Sequence, residues 1–149
     1  MARSSTFILT DDGLDRVRQV VEAFFRESSI FLAYAYGSRV SGRPLPDSDL
    51  DIGYYTERGP AARRLTLRDE LSIEAGLSAA LQCEVDLRNL ADAPLEFRGR
   101  VLEEGRRIYC SDEEARVNLE RDLLGRYHDY KAEFGEMRDL RLRQLANRR

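Results

Sequence analysis

The sequence predicts an α/β (α+β) fold, a small mixed sheet flanked by helices with a long helix at the C-terminus. Two observations carry this. Short apolar runs alternate with segments of helical period, the pattern of a sheet covered by helices. Residues 111–146 then run without a proline after a pair of helix-capping residues. At 149 residues and 42% hydrophobic content the chain can bury one core but hardly two, so a single domain is expected.

Thr10, Asp11 or Asp12 can cap a first helix running to about Ser28, with Leu14, Val17, Val21, Phe24 and Phe25 on its apolar side. Strands follow at about 30–36 and 50–56. Glu57-Arg58-Gly59-Pro60 reads as a turn. Residues from about 62 to 82 then alternate apolar and polar at helical spacing through Leu65, Leu71, Ala75, Ala79 and Leu81. A third strand is expected over about 84–89. Pro94 opens a short helix ending near Gly105, and Arg107 to Cys110 reads as a small edge strand. Ser111 or Asp112 can cap the last helix, which has only Gly125 and Gly135 as weak points and is expected to reach about Ala146. No internal repeat, low-complexity tract or flexible linker is visible.

The chemistry-bearing residues sit between the first two strands. Residues 30–52 read IFLAYAYGSRVSGRPLPDSDLDI, an apolar run ending in Gly37-Ser38, ten residues, then Asp49-Leu50-Asp51 opening a second apolar run. Strand residues two apart face the same way, so Asp49 and Asp51 project together while Leu50 and Ile52 point into a core. Two hard oxygen ligands suit Mg²⁺, which takes one or two carboxylates and completes its shell with water and phosphate oxygens. Gly37 permits a tight exit from its strand. A short helix starting at Ser38 would aim free backbone N–H groups and the serine hydroxyl at the phosphates of a nucleotide triphosphate. Asp86, in the short strand Cys83-Glu84-Val85-Asp86-Leu87, is a third candidate carboxylate, with Val85 and Leu87 inward on the opposite face. Three such groups suit a pair of ions that clamp the entering and leaving oxygens of an in-line displacement. Arg39 and Arg43, between the turn and the aspartates, are candidate phosphate contacts. A Gly-Ser turn alone is commonly only a turn, and an Asp-x-Asp alone is commonly a solvated strand edge; the two in register, followed by Asp86, are harder to dismiss.

These motifs resemble those of the DNA polymerase beta-like nucleotidyltransferase superfamily. The stretch GSRVSGRPLPDSDLDIGYY is similar to its minimal nucleotidyltransferases, in particular the MntA-like antitoxins paired with HEPN-domain HepT toxins, and the resemblance extends over nearly the whole chain, including Arg126-Tyr127-His128-Asp129-Tyr130 on the last helix. It implies a nucleotidyltransferase core over 1–110 with a partner-binding helical extension over 111–149 in the same domain. It further implies an active Mg²⁺-dependent enzyme that transfers AMP from ATP to a tyrosine of a cognate HEPN ribonuclease toxin, in a hetero-oligomer. Catalysis and metal binding then fall to Asp49, Asp51 and Asp86, and nucleotide binding to Gly37, Ser38, Arg39 and Arg43. Tyr127 and Tyr130 would belong to the toxin-facing helix. Two alternatives stand beside this: neutralisation by occlusion alone over a vestigial nucleotide site, and nucleotidyl transfer to a small molecule such as an aminoglycoside, for which a further substrate domain would be expected.

Composition narrows the field. The net charge of −3 lacks the basic footprint of a nucleic-acid binder, so no direct nucleic-acid contact is expected. Arg138, Arg141, Arg143, Arg148 and Arg149 do cluster near the C-terminus, and Arg63-Arg64 precede the middle helix. The start MARSSTFILTDDG lacks a secretory h-region and no run is long enough to span a bilayer, so a cytoplasmic protein without a membrane association is expected. Cys83 and Cys110 read as reduced core residues, and the single histidine, His128, reads as a surface or packing residue. The final helix, at ~1.5 Å per residue, spans roughly 50 Å and must overhang a compact domain. Its apolar residues Leu119, Leu123, Tyr127, Tyr130, Phe134, Met137 and Leu145 continue past any core of this size, so a second surface is expected to cover them, unless Gly135 breaks the helix and folds its end back.

Overall fold

The computed structural model describes residues 10–37, 40, 49–57 and 65–146, with residues 135–146 given by their backbone alone. Helix α1 (Asp11–Phe25) begins where the Thr10 side chain accepts the Gly13 N–H at 3.2 Å. It ends three residues before the expected Ser28, because Ser28 donates both its backbone N–H and its hydroxyl to the Phe25 carbonyl and turns the chain. Leu14, Val17, Val21 and Phe25 form its buried face, while Phe24 is half-buried and lies over Gly76.

Strands β1 (Ile30–Tyr36), β2 (Leu50–Thr56), β3 (Val85–Asn89) and β4 (Arg106–Cys110) form one mixed sheet in the order β3-β2-β1-β4. β1 is antiparallel to both β2 and β4, whereas β2 and β3 run parallel. A parallel pair requires a crossover, and helix α2 (Leu67–Leu81) supplies it.

Helix α2 differs from expectation in start and, at Leu71, Ala75 and Ala79, in register, while Leu65 and Leu81 pack against the core as expected. Thr66 and Asp69 form a reciprocal capping box: each side chain accepts the other's backbone N–H, at 3.1 and 3.2 Å. The helix therefore begins at Leu67, not near 62. Its buried row is Ile73, Leu77 and Leu81, with Leu77 fully enclosed, whereas Leu71 is 54% exposed and Ala75 and Ala79 face solvent. Both rows have a spacing of four, but a two-residue offset turns a helix by about 200°, so only one row can meet the sheet. The larger side chains take that row.

The two faces of the sheet have separate cores. Ala33, Ala35, Leu50, Ile52, Tyr54, Val85, Leu87 and Ile108 pack beneath α1 and α2. Leu32, Tyr34, Tyr55 and Leu90 pack beneath helix α3 (Leu95–Glu104), which contributes Val101 to the cluster, and helix α4 (Glu113–Ala146). Asp112 caps α4, accepting the Ala115 N–H at 3.0 Å. The helix passes through Gly125 and Gly135 without a break, so the fold-back alternative does not hold. Leu123 and Tyr127 are buried, Tyr130 is half-buried and donates to Glu96 at 3.3 Å, and Phe134 is 47% exposed. The apolar stripe thus leaves the core as the sequence indicates. No helix among the described residues is long and apolar enough to cross a membrane.

Gly99 of α3 lies against the Tyr127 ring so closely that a Cβ there would overlap it, whereas nothing lies within 4 Å of a Cβ at Gly125. Gly99→Ala is expected to destabilise the protein by about 1–3 kcal/mol. Gly125→Ala is expected to stabilise it by up to ~1 kcal/mol. Urea midpoints at unchanged slope read both, and equal shifts would show that α4 does not dock on α3 as described.

Candidate active site

Strand pairing places the candidate carboxylates. Tyr36 of β1 stands opposite Asp51 of β2, and Asp51 stands opposite Asp86 of β3. Opposed residues share a face, so the three side chains form one row across the sheet on the side of α3 and α4. The next row on that face is Tyr34, Gly53 and Arg88. Gly53 is required there by space: a Cβ would lie 2.7 Å from the Leu90 side chain, which fills the gap.

The register is held from outside by α2. The Ser78 hydroxyl accepts the Val85 N–H at 3.0 Å and the Glu74 carboxylate accepts the Leu87 N–H at 3.2 Å, satisfying the outer donors of β3. On the inner side the Leu50 N–H donates to the Glu84 carbonyl at 2.8 Å, starting the parallel ladder just before Asp51 and Asp86.

Gly37 follows β1 with φ +88°, a conformation that favours glycine, and a Cβ there would collide with the Asp51 carboxylate. Its carbonyl accepts the Val40 N–H at 3.1 Å. Ser38, Arg39 and Arg43 lie outside the described residues. Asp49 lies one residue before β2 and is exposed. The structure therefore brings Gly37, Asp51 and Asp86 together, with the exposed Asp49 near enough to act electrostatically on Asp51.

This corner concentrates negative charge. Burial, then Asp86, then Asp49 push the Asp51 carboxyl up to about 6, with Arg88 partly opposing them. Burial, then Asp51, with a further contribution from Asp86, pushes the Tyr36 hydroxyl up to about 12. Among the described residues, Asp49, Asp51 and Asp86 have no ion pair or hydrogen bond. Nor is any group of three His, Cys, Asp or Glu side chains arranged there to hold a metal ion. Mg²⁺ needs only one or two protein carboxylates, and the half-buried, unpaired Asp51–Asp86 pair is a donor set of the right hardness.

Three neighbours escaped sequence reasoning. Tyr36 closes the row beside Asp51; Phe97 of α3 meets it edge to face at 5.5 Å; and the Arg88 guanidinium lies 5.1 Å from the Phe97 centroid. Arg88 follows Asp86 by two residues, so strand alternation alone places it on the same face. Phe97 left no such signal.

A glycine turn closing one strand, with aspartates in register on the next two, is the arrangement of a nucleotidyltransferase fold. The chain belongs to the polymerase beta nucleotidyltransferase family, whose model matches residues 18–114. Among solved structures it is similar to a chain of a toxin-antitoxin structure with AMP-PNP, at 20% identity and a TM-score of 0.64, covering 84% of this chain and 98% of that one. A chain of the MntA-HepT toxin-antitoxin structure gives 19% identity and a TM-score of 0.60, covering 85% and 97%. A chain from the complex of tri-AMPylated Shewanella oneidensis HEPN toxin with MNT antitoxin gives 18% and 0.62, covering 87% and 98%. These likenesses establish a common fold. No curated protein matches the chain significantly.

The charge crowding at Asp51 has a measurable cost. Its folded pKa of about 6 lies above the ordinary 3.8, so below pH 3.8 the group is protonated in both states and costs nothing. Stability is lost as pH rises through 6. Asp51→Asn is therefore expected to raise the melting temperature by a few degrees at pH 7.5 in EDTA, with the gain vanishing near pH 4. A variant that melts at or below the wild-type temperature at pH 7.5 contradicts this account of the corner.

Proposed function

We propose that this chain is an antitoxin nucleotidyltransferase that moves AMP from ATP to a tyrosine hydroxyl of a cognate HEPN ribonuclease toxin, with which it forms a hetero-oligomer. The observation that carries the reading is the half-buried Asp51–Asp86 row, without an ion pair among the described residues, set directly against the positive-φ Gly37. The shared fold with chains of MntA-HepT complexes, one of them with AMP-PNP and one with a tri-AMPylated toxin, supports the choice of nucleotide and acceptor.

In this reading the domain of residues 1–110 carries the chemistry and residues 111–149 carry the docking helix. The turn at Gly37-Ser38, with Arg39 and Arg43 following it, binds the β- and γ-phosphates through backbone N–H groups and guanidinium forks. Asp49, Asp51 and Asp86 would hold Mg²⁺, which supplies charge neutralisation of the triphosphate and a lowered pKa for the acceptor hydroxyl. The tyrosine oxygen, oriented on the Asp86 side, bonds to the α-phosphorus. The bond from that phosphorus to the bridging oxygen of the β-phosphate breaks, pyrophosphate leaves, and the phenolic proton passes to the Asp86 carboxylate or to solvent. The new phosphodiester adds bulk and negative charge to the toxin, which opposes binding of an RNA phosphate.

The exposed Phe134, beyond the end of the core, favours a docking contribution that does not depend on catalysis. The two contributions separate experimentally. With ATP radiolabelled at the α-phosphate, Mg²⁺ and the product of the neighbouring gene, label is expected on that protein and is expected to fall to background with Asp49→Ala plus Asp51→Ala. Absence of label with the wild type, or equal label with the double variant, rules out AMP transfer from this site. Neutralisation that survives the double variant but is lost with Phe134→Asp assigns the function to occlusion instead.

A further inference from the structure

We propose that Arg88, carried on the Phe97 ring, is an acceptor-binding residue that holds an oxyanion of the phosphate-ester class next to the hydroxyl receiving the nucleotide. This rests on the reading of the site as a nucleotidyltransferase centre and names what its acceptor side recognises.

Position comes first. The sheet order puts β3 on the far side of β2 from β1, so Arg88 lies across the aspartate row from the Gly37 turn that serves the triphosphate. It shares the face of Asp51 and Asp86, one row along. Availability comes second. Arg88 is exposed and, among the described residues, has no ion pair, although three carboxylates stand on its side of the sheet. Among the described residues its guanidinium lies over the Phe97 face at 5.1 Å and acts on Asp51 and Tyr36 only through space, and Phe97 is itself fixed edge to face against Tyr36 at 5.5 Å. A guanidinium stacked on a ring keeps its edge N–H donors free, and that fork matches two oxygens of a phosphate ester. Charge comes third. Asp49, Asp51 and Asp86 repel any anion that approaches the acceptor side, so an acceptor bearing an oxyanion needs a fixed cation there, and Arg88 is placed to supply it.

The test uses the full chain saturated with AMP-PNP and Mg²⁺, titrated with phenyl phosphate by calorimetry. Wild type is expected to bind; Arg88→Gln and Phe97→Leu are expected to weaken binding by about tenfold or more, with partial recovery in Arg88→Lys. AMP-PNP affinity and the urea midpoint are expected to stay within about twofold and within error for all Arg88 variants, a split that a merely structural role would not give. No binding by wild type, equal binding by Arg88→Gln, or a parallel loss of AMP-PNP affinity overturns the inference. If phenyl phosphate binding depends on Arg88 while no label reaches the product of the neighbouring gene, the oxyanion subsite stands and the toxin-modifying reading falls. If label transfer proceeds and the acceptor KM is unchanged in Arg88→Gln, only the Arg88 inference falls.

Discussion

The parallel register of β2 and β3 is the constraint on which the site depends. Asp51 and Asp86 are 35 residues apart in the chain and meet only because these strands pair in one particular alignment. A one-residue slip would carry Asp86 to the face occupied by Val85 and Leu87 and would place those apolar groups in solvent. The alignment is therefore fixed by the core on one face and used by the carboxylates on the other. Helix α2 adds a second restraint, since Ser78 and Glu74 hold the outer N–H groups of Val85 and Leu87. Packing and hydrogen bonding thus agree on one register, and the site inherits their precision.

The same alignment imposes a cost. Two carboxylates at neighbouring positions, half-buried and without an ion pair among the described residues, with Arg88 offsetting their repulsion only in part, are a poor choice for stability alone. Gly37 tightens the corner further, because its missing side chain is what lets the turn approach the Asp51 carboxylate. Such a local violation in an otherwise consistent fold is the physical mark of a functional site.

Much of this was legible in the sequence, for identifiable reasons. Strand alternation placed Asp51 and Asp86 opposite the inward Ile52, Val85 and Leu87, and the structure agrees. Spacing of three and four carried the last helix past Phe134, and backbone geometry bears this out to Ala146. The second helix was harder: rows 71–75–79 and 73–77–81 both look apolar, and only the three-dimensional partner chooses between them. Phe97 was invisible because its role comes from contact with Tyr36 and Arg88, residues distant in the chain. Arg88 was available to simple alternation from Asp86 but was masked by the abundance of arginine.

The sheet's two outer strands are both occupied by side chains rather than left open. Ser78 and Glu74 take donors of β3, and the Arg18 guanidinium of α1 donates twice to the Arg107 carbonyl of β4, at 3.3 and 3.2 Å. A free strand edge is a template for another chain's backbone, and here both templates are partly filled. A strand added at either edge would have to displace these side chains, so the sheet edges favour recognition through helix side chains over strand addition. That restriction favours discrimination between partners, because side-chain surfaces vary with sequence while backbone edges are nearly the same in every protein.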